Sequence, residues 1–569
     1  MTTQRWICDA DPSPRFPVYT RGNAGEVAPN VLTPLTASLI GDASADGQRR
    51  AMLELGLLRS RDFAGPGANG TGVFGGYLYA NLSMARVGCE RAPGMTALDA
   101  DRQMAGLSDD APVHVPQNGD RDLIATLAMT WSMIRHLLRP DISALDAARR
   151  DVESRRGGIL PPAECSDDEL IDLVLAFPPR WADGMYRLLF HSAFAGASNA
   201  IVEQLTERAG CGRSAALALT GGLGTIDSAA PAMRLWALGR QVAESQRLTQ
   251  IFDEGVDVLE IDDDPDVDHF LEGFSAFVRA HGARGPDEWE LASETWGTHP
   301  SMALEAIDRL RRAPAERDPV VAQRRLAEER TQAADAVRHG LPRPVRPFFD
   351  RMLLAAQRYA EGRERAKTIF IDDLYPVRCA LFELADRARA RGGPEDRRDF
   401  FLVTSQELRD VVAAPEPYAS VIADRRSRRD FLQERVPPFV FDGVLPDPST
   451  WPLRSVEPVD LGDARQLEGQ GVSSGIARGT VRIVRNPADP RALEPDDILV
   501  APITDPAWTP LFLAVAGVVV EVGAQLSHAA IVARELGIPA VVGVTNATTR
   551  LVDGQQIEID GARGTVTVF

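Results

Sequence analysis

Apolar positions along this chain follow three successive rhythms. Over residues 1 to about 115, short apolar runs are broken by glycine and proline with few helical periods, which predicts a mixed segment of strands and turns. From about 120 to 440 apolar residues recur at three- and four-residue intervals, with arginines and carboxylates on the other face. That pattern predicts long helices at Leu123–Leu138, Met185–Arg208, Pro231–Arg247, His269–His281, Ser301–Arg312, Val320–His339 and Pro347–Lys367, with Gly340-Leu-Pro-Arg-Pro344 parting the last two. Residues 436–470 hold six prolines and little periodicity, as expected of a linker. The texture then turns to short β-branched runs at Thr480–Val484, Ile498–Val500, Val518–Val520, Ala540–Val542, Gln556–Ile559 and Thr565–Val568, with helices fitting Trp508–Ala516 and His528–Leu536. The organisation expected is a mainly helical domain over 1–440, a linker over 441–470 and a small α/β domain over 471–569.

Composition narrows the classes of function. With 569 residues the chain is too long for a single core. A net charge of −19 argues against nucleic acid or an anionic membrane as its main partner. The five cysteines show no C-x-x-C pair, so neither a disulfide framework nor a zinc site is indicated, and no metal ligands are assigned. The N-terminus lacks a basic stretch followed by an apolar one, and the most apolar run, Leu511–Val520, is too short for a bilayer span. It reads as a buried helix running into a buried strand. A cytoplasmic location is expected. Lys367 is the only lysine in the chain, so nearly all positive charge is arginine.

Chemistry concentrates at Gly523-Ala-Gln-Leu-Ser527-His528-Ala-Ala-Ile-Val-Ala-Arg534-Glu-Leu-Gly537-Ile-Pro539. Ser527 suits the cap of a helix whose first turn carries His528. Free backbone N–H groups and the positive end of the helix dipole gather there, so an anion attached to the imidazole is stabilised. A neutral imidazole is also a competent nucleophile toward phosphorus. The bland alternative is a histidine merely packed at a helix start. Arg363 and Lys367, four apart, share a helical face and suit a phosphoryl group, the guanidinium as a fork and the ammonium as a point charge. Their bland alternative is a solvated surface. Glu364 suits a base for a hydroxyl proton, and equally an ion pair with a nearby arginine. Gly221-Gly-Leu-Gly224 is a weak phosphate-loop candidate between helices.

The His528 segment is very similar to the phosphohistidine motif of the phosphoenolpyruvate-synthase and pyruvate-phosphate-dikinase superfamily, with Ala524 where that family usually has a second glycine. Gly471-Val-Ser-Ser-Gly475, Gly479–Val484 and Asp497–Val500 resemble the same family's mobile domain, and Thr504–Phe512 looks most like the version in rifampin phosphotransferases. Asn23–Glu26 with Thr33-Pro-Leu-Thr36, Phe74–Asn81, His281–Leu291 with Arg284 and Glu288, and Arg363-Glu-Arg-Ala-Lys367 resemble the acceptor-binding region of the rifampin phosphotransferases. The resemblance implies a mostly α-helical acceptor-binding domain followed by a swivelling phosphohistidine domain. It implies His528 as phosphoryl carrier, Arg363, Lys367 and Glu364 as catalytic partners, and Arg284, Glu288, Ser527 and Arg534 as phosphate- or substrate-binding residues.

Multidomain relatives begin with an ATP-grasp domain that loads the histidine. Here the chain opens on the acceptor-binding motifs, so the resemblance implies a separate ATP-grasp subunit holding ATP and Mg²⁺, with AMP and phosphate as by-products. That split arrangement resembles the two-component phenylphosphate and methylphenyl-phosphate synthases, and the acceptor expected is a small phenol or alcohol. A rifamycin-type antibiotic is the alternative acceptor, and a non-catalytic phosphohistidine regulator the alternative class.

Overall fold

A computed structural model of the chain describes residues 5–104, 111–158, 160–224, 226–256, 264–454, 466–487, 493–523 and 527–569. The chain folds into two compact units. The first comprises Met1–Ala195, Asp287–Ser293 and Arg365–Val456, and the second Gly196–Pro286, Glu294–Glu364 and Glu457–Phe569. The helical region expected as one domain over 1–440 is therefore shared between them, and the small α/β segment shares a unit with helices that precede it.

In the first unit, β1 (Val18–Thr20), β2 (Thr71–Phe74), β3 (Tyr77–Asn81) and β4 (Val440–Asp442) form an antiparallel sheet in the order β2-β3-β1-β4. Ordered structure thus reaches into the stretch expected as linker, of which residues 455–465 lie outside the described residues. Phe74 pairs with Tyr77 across a two-residue turn. Gly75 and Gly76 take φ of 56° and 80° there, a conformation that favours glycine at both positions. The buried Arg21 guanidinium lies 4.9 Å from the Tyr77 ring and donates to the Leu78 carbonyl at 2.7 Å, so the Phe74–Asn81 motif is a packed hairpin.

Two helices of this unit depart from the sequence reading. Pro34–Leu55 is a 22-residue helix inside the segment expected to be strands and turns. Its buried face mixes Leu35, Leu39, Ile40 and Leu55 with the small residues Ala37, Ala43, Ser44, Gly47 and Ala51, so the hydrophobic period fades through its middle. The small residues permit close approach: a Cβ at Gly47 would lie 2.3 Å from the Ala182 carbonyl oxygen. The helix Leu123–Leu138 has the expected bounds, but Leu123, Ile124, Leu127, Trp131 and Ile134 are exposed, while Ala125, Met129, Ser132 and Leu137 are buried. Apolar residues lie on both faces, so periodicity alone could not choose between them.

The second unit holds the helices Ala230–Glu244, Pro265–His281, Ser301–Arg311 and Pro319–Gly340, close to the expected bounds. Its sheet comprises β5 (Gln466–Glu468), β6 (Gln470–Ser473), β7 (Ile476–Ile483), β8 (Asp497–Ala501), β9 (Gly517–Val520), β10 (Ala540–Val542), β11 (Gln556–Asp560) and β12 (Thr565–Val568), in the order β5-β12-β11-β7-β8-β9-β10-β6. Strands β7 to β10 are parallel and the flanking pairings antiparallel. Strands β8, β9 and β10 are buried along their whole length because both faces are covered, whereas β7 alternates buried and half-buried or exposed positions. On one side Val481, Ile498, Val500 and Val519 pack with Ile557 and Ile559. On the other, Trp508, Phe512, Val532 and Leu536 share a core with Leu235, Trp236, Ile307 and Leu310 of the preceding helices. Helices Thr509–Ala514 and His528–Leu536 connect β8 to β9 and β9 to β10. Among the described residues no helix is long and apolar enough to cross a membrane.

Candidate active site

His528 is the first residue of the helix His528–Leu536, which follows the carboxyl end of β9. Ser527 caps that helix from an extended backbone, its Oγ accepting from the Ala530 N–H at 3.3 Å. At the other end Gly537 takes φ of 68°. The cap and the short helix place His528 among backbone N–H groups that have no intrahelical acceptor, at the positive end of the dipole. The imidazole is nearly buried, and its Nε2 lies 3.2 Å from Oγ1 of the buried Thr509. Thr509 opens the helix that follows β8, so the pair meets beyond the carboxyl ends of neighbouring parallel strands, where open α/β sheets collect their chemistry. A hydroxyl on Nε2 orients the ring, whichever of the two donates. Sequence reasoning quoted Thr504–Phe512 as a family likeness and assigned Thr509 no role. The residue Ala524 lies outside the described residues.

The second unit also holds four of the other sequence-predicted residues, Arg534, Arg363, Glu364 and Arg284. Arg534 is buried and donates from Nε to the Val472 carbonyl at 2.6 Å, which ties the His528 helix to β6. Burial pulls its guanidinium down to about 10, against the opposing charges of Glu203 and Glu535. Arg363 is within electrostatic reach of Arg534. Its Nη1 lies 2.9 Å from Oε1 of the buried Glu364, so the ion-pair reading of Glu364 is the one realised geometrically. Arg284 is buried on a loop whose Gly282 and Arg284 carbonyls accept from the N–H groups of Gly297 and Trp296. Gly285 permits that approach, since a Cβ there would lie 2.8 Å from the Glu294 carbonyl oxygen. Burial, then the charges of Arg284 and Arg234, push the nearby His281 imidazole down to about 4, so it stays neutral at pH 7.

Lys367 and Glu288 belong to the first unit, with Nζ 3.5 Å from Oε2 and side-chain exposures of 14% and 3%. Glu288 is placed by its backbone. The fully buried Arg378 donates from Nη2 to the carbonyls of Glu288 at 2.7 Å and Glu290 at 3.0 Å. Two residues on, Oε1 of Glu290 accepts from the hydroxyls of Thr33 at 2.7 Å and Thr36 at 2.6 Å, and Oε2 from the Thr33 N–H at 2.9 Å. The Thr33-Pro-Leu-Thr36 and Glu288-Trp-Glu290 motifs are therefore one hydrogen-bonded network, with Glu290 and Arg378 as members that sequence reasoning did not single out. Lys367 and Arg363 lie on one helix, Arg346–Ala390, which continues through Pro376. The boundary between the two units falls between Glu364 and Arg365. Among the described residues no group of three or more His, Cys, Asp or Glu side chains gathers as a metal site.

Comparison with known proteins agrees with this geometry. Residues 493–564 match the PEP-utilising enzyme mobile domain, and residues 189–364 the rifampicin phosphotransferase fourth domain. The second match ends at Glu364, where the helical part of the second unit also ends. A rifampicin phosphotransferase of Bacillus subtilis is 24% identical over 503 residues, covering 84% of this chain and 54% of that protein. The prodigiosin synthesizing transferase PigC of Serratia marcescens is 32% identical over 309 residues, covering 52% of this chain and 33% of that one. The chondramide synthase cmdD of Chondromyces crocatus is 33% identical over 328 residues, covering 53% of this chain and 8% of that one. The chain spans about half or less of the length of these relatives. The segment that holds His528 is thus similar to a PEP-utilising mobile domain and the segment that holds Arg284, Arg363 and Glu364 to the rifampicin phosphotransferase fourth domain, while Lys367 lies outside both matches.

Proposed function

We propose that this chain, built around a PEP-utilising mobile domain, is the phosphoryl-carrying and acceptor-binding component of an ATP-dependent phosphotransferase. In the first half-reaction an imidazole nitrogen of His528 attacks phosphorus of ATP bound on a separate ATP-grasp subunit, which also holds Mg²⁺. A bond from the imidazole nitrogen to the β-phosphorus forms as the P–O bond to AMP breaks, and water then releases the terminal phosphoryl group as inorganic phosphate, leaving phosphohistidine. In the second, a hydroxyl oxygen of a small phenol or alcohol attacks the phosphoryl group, the P–N bond breaks, and the imidazole regains its lone pair. The hydroxyl proton passes to a carboxylate, for which Glu364 and Glu288 are the buried candidates. Positioning and charge dominate such transfers, since the protein has little covalent work to do. Arg363 and Lys367 are assigned to the transferred phosphoryl group. The named relatives act toward dissimilar products, so the acceptor is assigned here only as a class, with a rifamycin-type antibiotic as alternative.

The observation that carries this reading is the nearly buried His528 at a capped helix N-terminus, with Nε2 on the Thr509 hydroxyl. The test is to incubate the full chain with radiolabelled ATP and the ATP-grasp subunit encoded nearest to it, then map acid-labile phosphate. Label on His528, lost in His528→Ala and discharged by a phenol, is the expected result. Label on His269 or His299 overturns the assignment of the carrier. Label on His528 that no hydroxyl compound discharges favours a phosphohistidine regulator instead.

A further inference from the structure

The glycine cluster Gly221–Gly224 resembles a phosphate loop in sequence, yet in the fold it already holds an anionic group from within the chain. The Glu535 carboxylate accepts from the Leu223 N–H at 3.1 Å through Oε1 and from the Gly224 N–H at 3.2 Å through Oε2. Successive backbone N–H groups beside left-handed residues form an anion-binding concavity, and Gly222 and Gly224 have φ of 58° and 72°. The loop's other polar face is held too. Arg330 Nη1 donates to the Gly221 carbonyl at 2.8 Å and to the Gly222 carbonyl. Glu535 itself is 1% exposed and lies two turns beyond His528 on the same helix, so the two share a helical side.

These partners come from different parts of the second unit. Glu535 belongs to the segment matched as a mobile domain, whereas the loop and Arg330 belong to the segment matched as the fourth domain. Another polar tie between the two segments runs from an arginine to backbone carbonyls: Arg317 donates to the Leu513 carbonyl at 3.5 Å and to that of Pro495. Such bonds ask only for a carbonyl at the right place. Glu535 meets two N–H groups, each aimed at a different oxygen, which suits an ionised carboxylate and no other side chain of that size. A Cβ at Gly537 would lie 2.9 Å from an Arg325 nitrogen, so that glycine lets the segments approach, and one at Gly222 would lie 2.4 Å from Leu326 Cβ, so the loop packs closely on a helix of its own segment.

We infer that Gly221–Gly224 is a carboxylate receptor and that Glu535 is its ligand, a positioning residue that docks the His528 helix for the acceptor half-reaction. The inference rests on the phosphotransfer reading above, because docking matters only if the His528 segment also leaves to be loaded. Release of Glu535 frees two N–H groups and exposes a charge, so departure has a defined polar cost at one point of the interface. The glycines serve to admit a carboxylate, and the loop's resemblance to a phosphate loop reflects the same anion chemistry turned toward an internal partner.

Hydrogen exchange on the unphosphorylated full chain tests this without any acceptor. Glu535→Gln keeps the size but sets an amide NH₂ against one N–H donor, and is expected to raise exchange at Leu223 and Gly224 about tenfold or more, the scale of a lost charge-assisted hydrogen bond. Strands β7 to β9 should keep their protection, which separates undocking from unfolding. Arg330→Gln, which leaves the His528 helix intact, should move the same amides in the same direction by less. With ATP and the ATP-grasp subunit, Glu535→Gln should load His528 faster, because the undocked state is more populated. A residue that merely stabilised the fold would not speed loading. Unchanged exchange at Leu223 and Gly224 in both variants overturns the receptor. Increased exchange with no phosphate on His528 in any variant leaves the receptor standing and sinks the phosphotransfer reading instead.

Discussion

At His528 the polar machinery is mostly local: Ser527 caps the helix, the first turn supplies N–H groups, and Thr509 stands at the start of the neighbouring crossover helix. At Lys367 every partner is distant in sequence. Glu288 comes from a loop, Arg378 holds that loop by its carbonyls, and Thr33 and Thr36 hold Glu290 beside it. The first arrangement is built within one small α/β fold. The second is rooted in the packing of its unit and desolvates both charges, so each depends on the other. A group that must carry phosphate between partners is suited to the first construction. A group that must meet the phosphate in a fixed place is suited to the second.

Lys367 is where the contrast breaks most visibly. Removing one partner of a buried ion pair costs up to about 3–5 kcal/mol, and the Arg378 charge, which also acts on Glu288, should keep the loss below that ceiling. Lys367→Ala should therefore lower the denaturation midpoint, whereas Lys367→Met with Glu288→Gln should recover much of the stability without recovering transfer. Loss of a charge contact in a dry site slows the transition state by about 10²–10³. Single-turnover transfer from phosphorylated protein should show that drop in Lys367→Ala and in Lys367→Arg, since a planar fork cannot occupy an ammonium's place. Parental rates in both variants would return Lys367 to the background of cations.

A smaller effect is expected at Thr509. Thr509→Val keeps the shape and removes the hydroxyl from Nε2, so loading of His528 should slow about tenfold, the scale of one hydrogen bond. Thr509→Ser should restore it, and stability should change little in either variant. A Thr509→Val protein that loads at the parental rate would mean that the ring is held by packing alone.

The smallest effect sharpens the local side of the comparison. Ser527→Ala removes a helix cap and should cost about 1 kcal/mol, read as a lower melting midpoint. Because the cap is local, hydrogen exchange should rise in the first turn of the His528 helix and leave the Lys367 network untouched. Spread of the effect to Glu288 and Thr33 would show that the two sites are not built independently.

What sequence alone determined is now clear from particular elements. The strands β7 to β12 and the His528 helix were legible because most of the short β-branched runs border a glycine or an Asp-Gly turn, and because Ser-His at a helix start carries local physics. The helices Ser301–Arg311 and Pro319–Gly340 were legible from their period. Tertiary structure decided the rest. The helix Pro34–Leu55 buries Ala43, Ser44, Gly47 and Ala51 between its apolar ends, and burial of such small residues makes sense only beside a close neighbour. The helix Leu123–Leu138 is apolar on both faces, and only its packing chose which to bury. Glu290, Arg378, Thr509 and Glu535 became significant through partners far away in the chain, and no spacing announces such a partner. Gly221–Gly224 had a legible capacity for an anion, but its ligand is a carboxylate over three hundred residues away. Local geometry specifies what a segment can bind, and only the fold decides what is brought within reach.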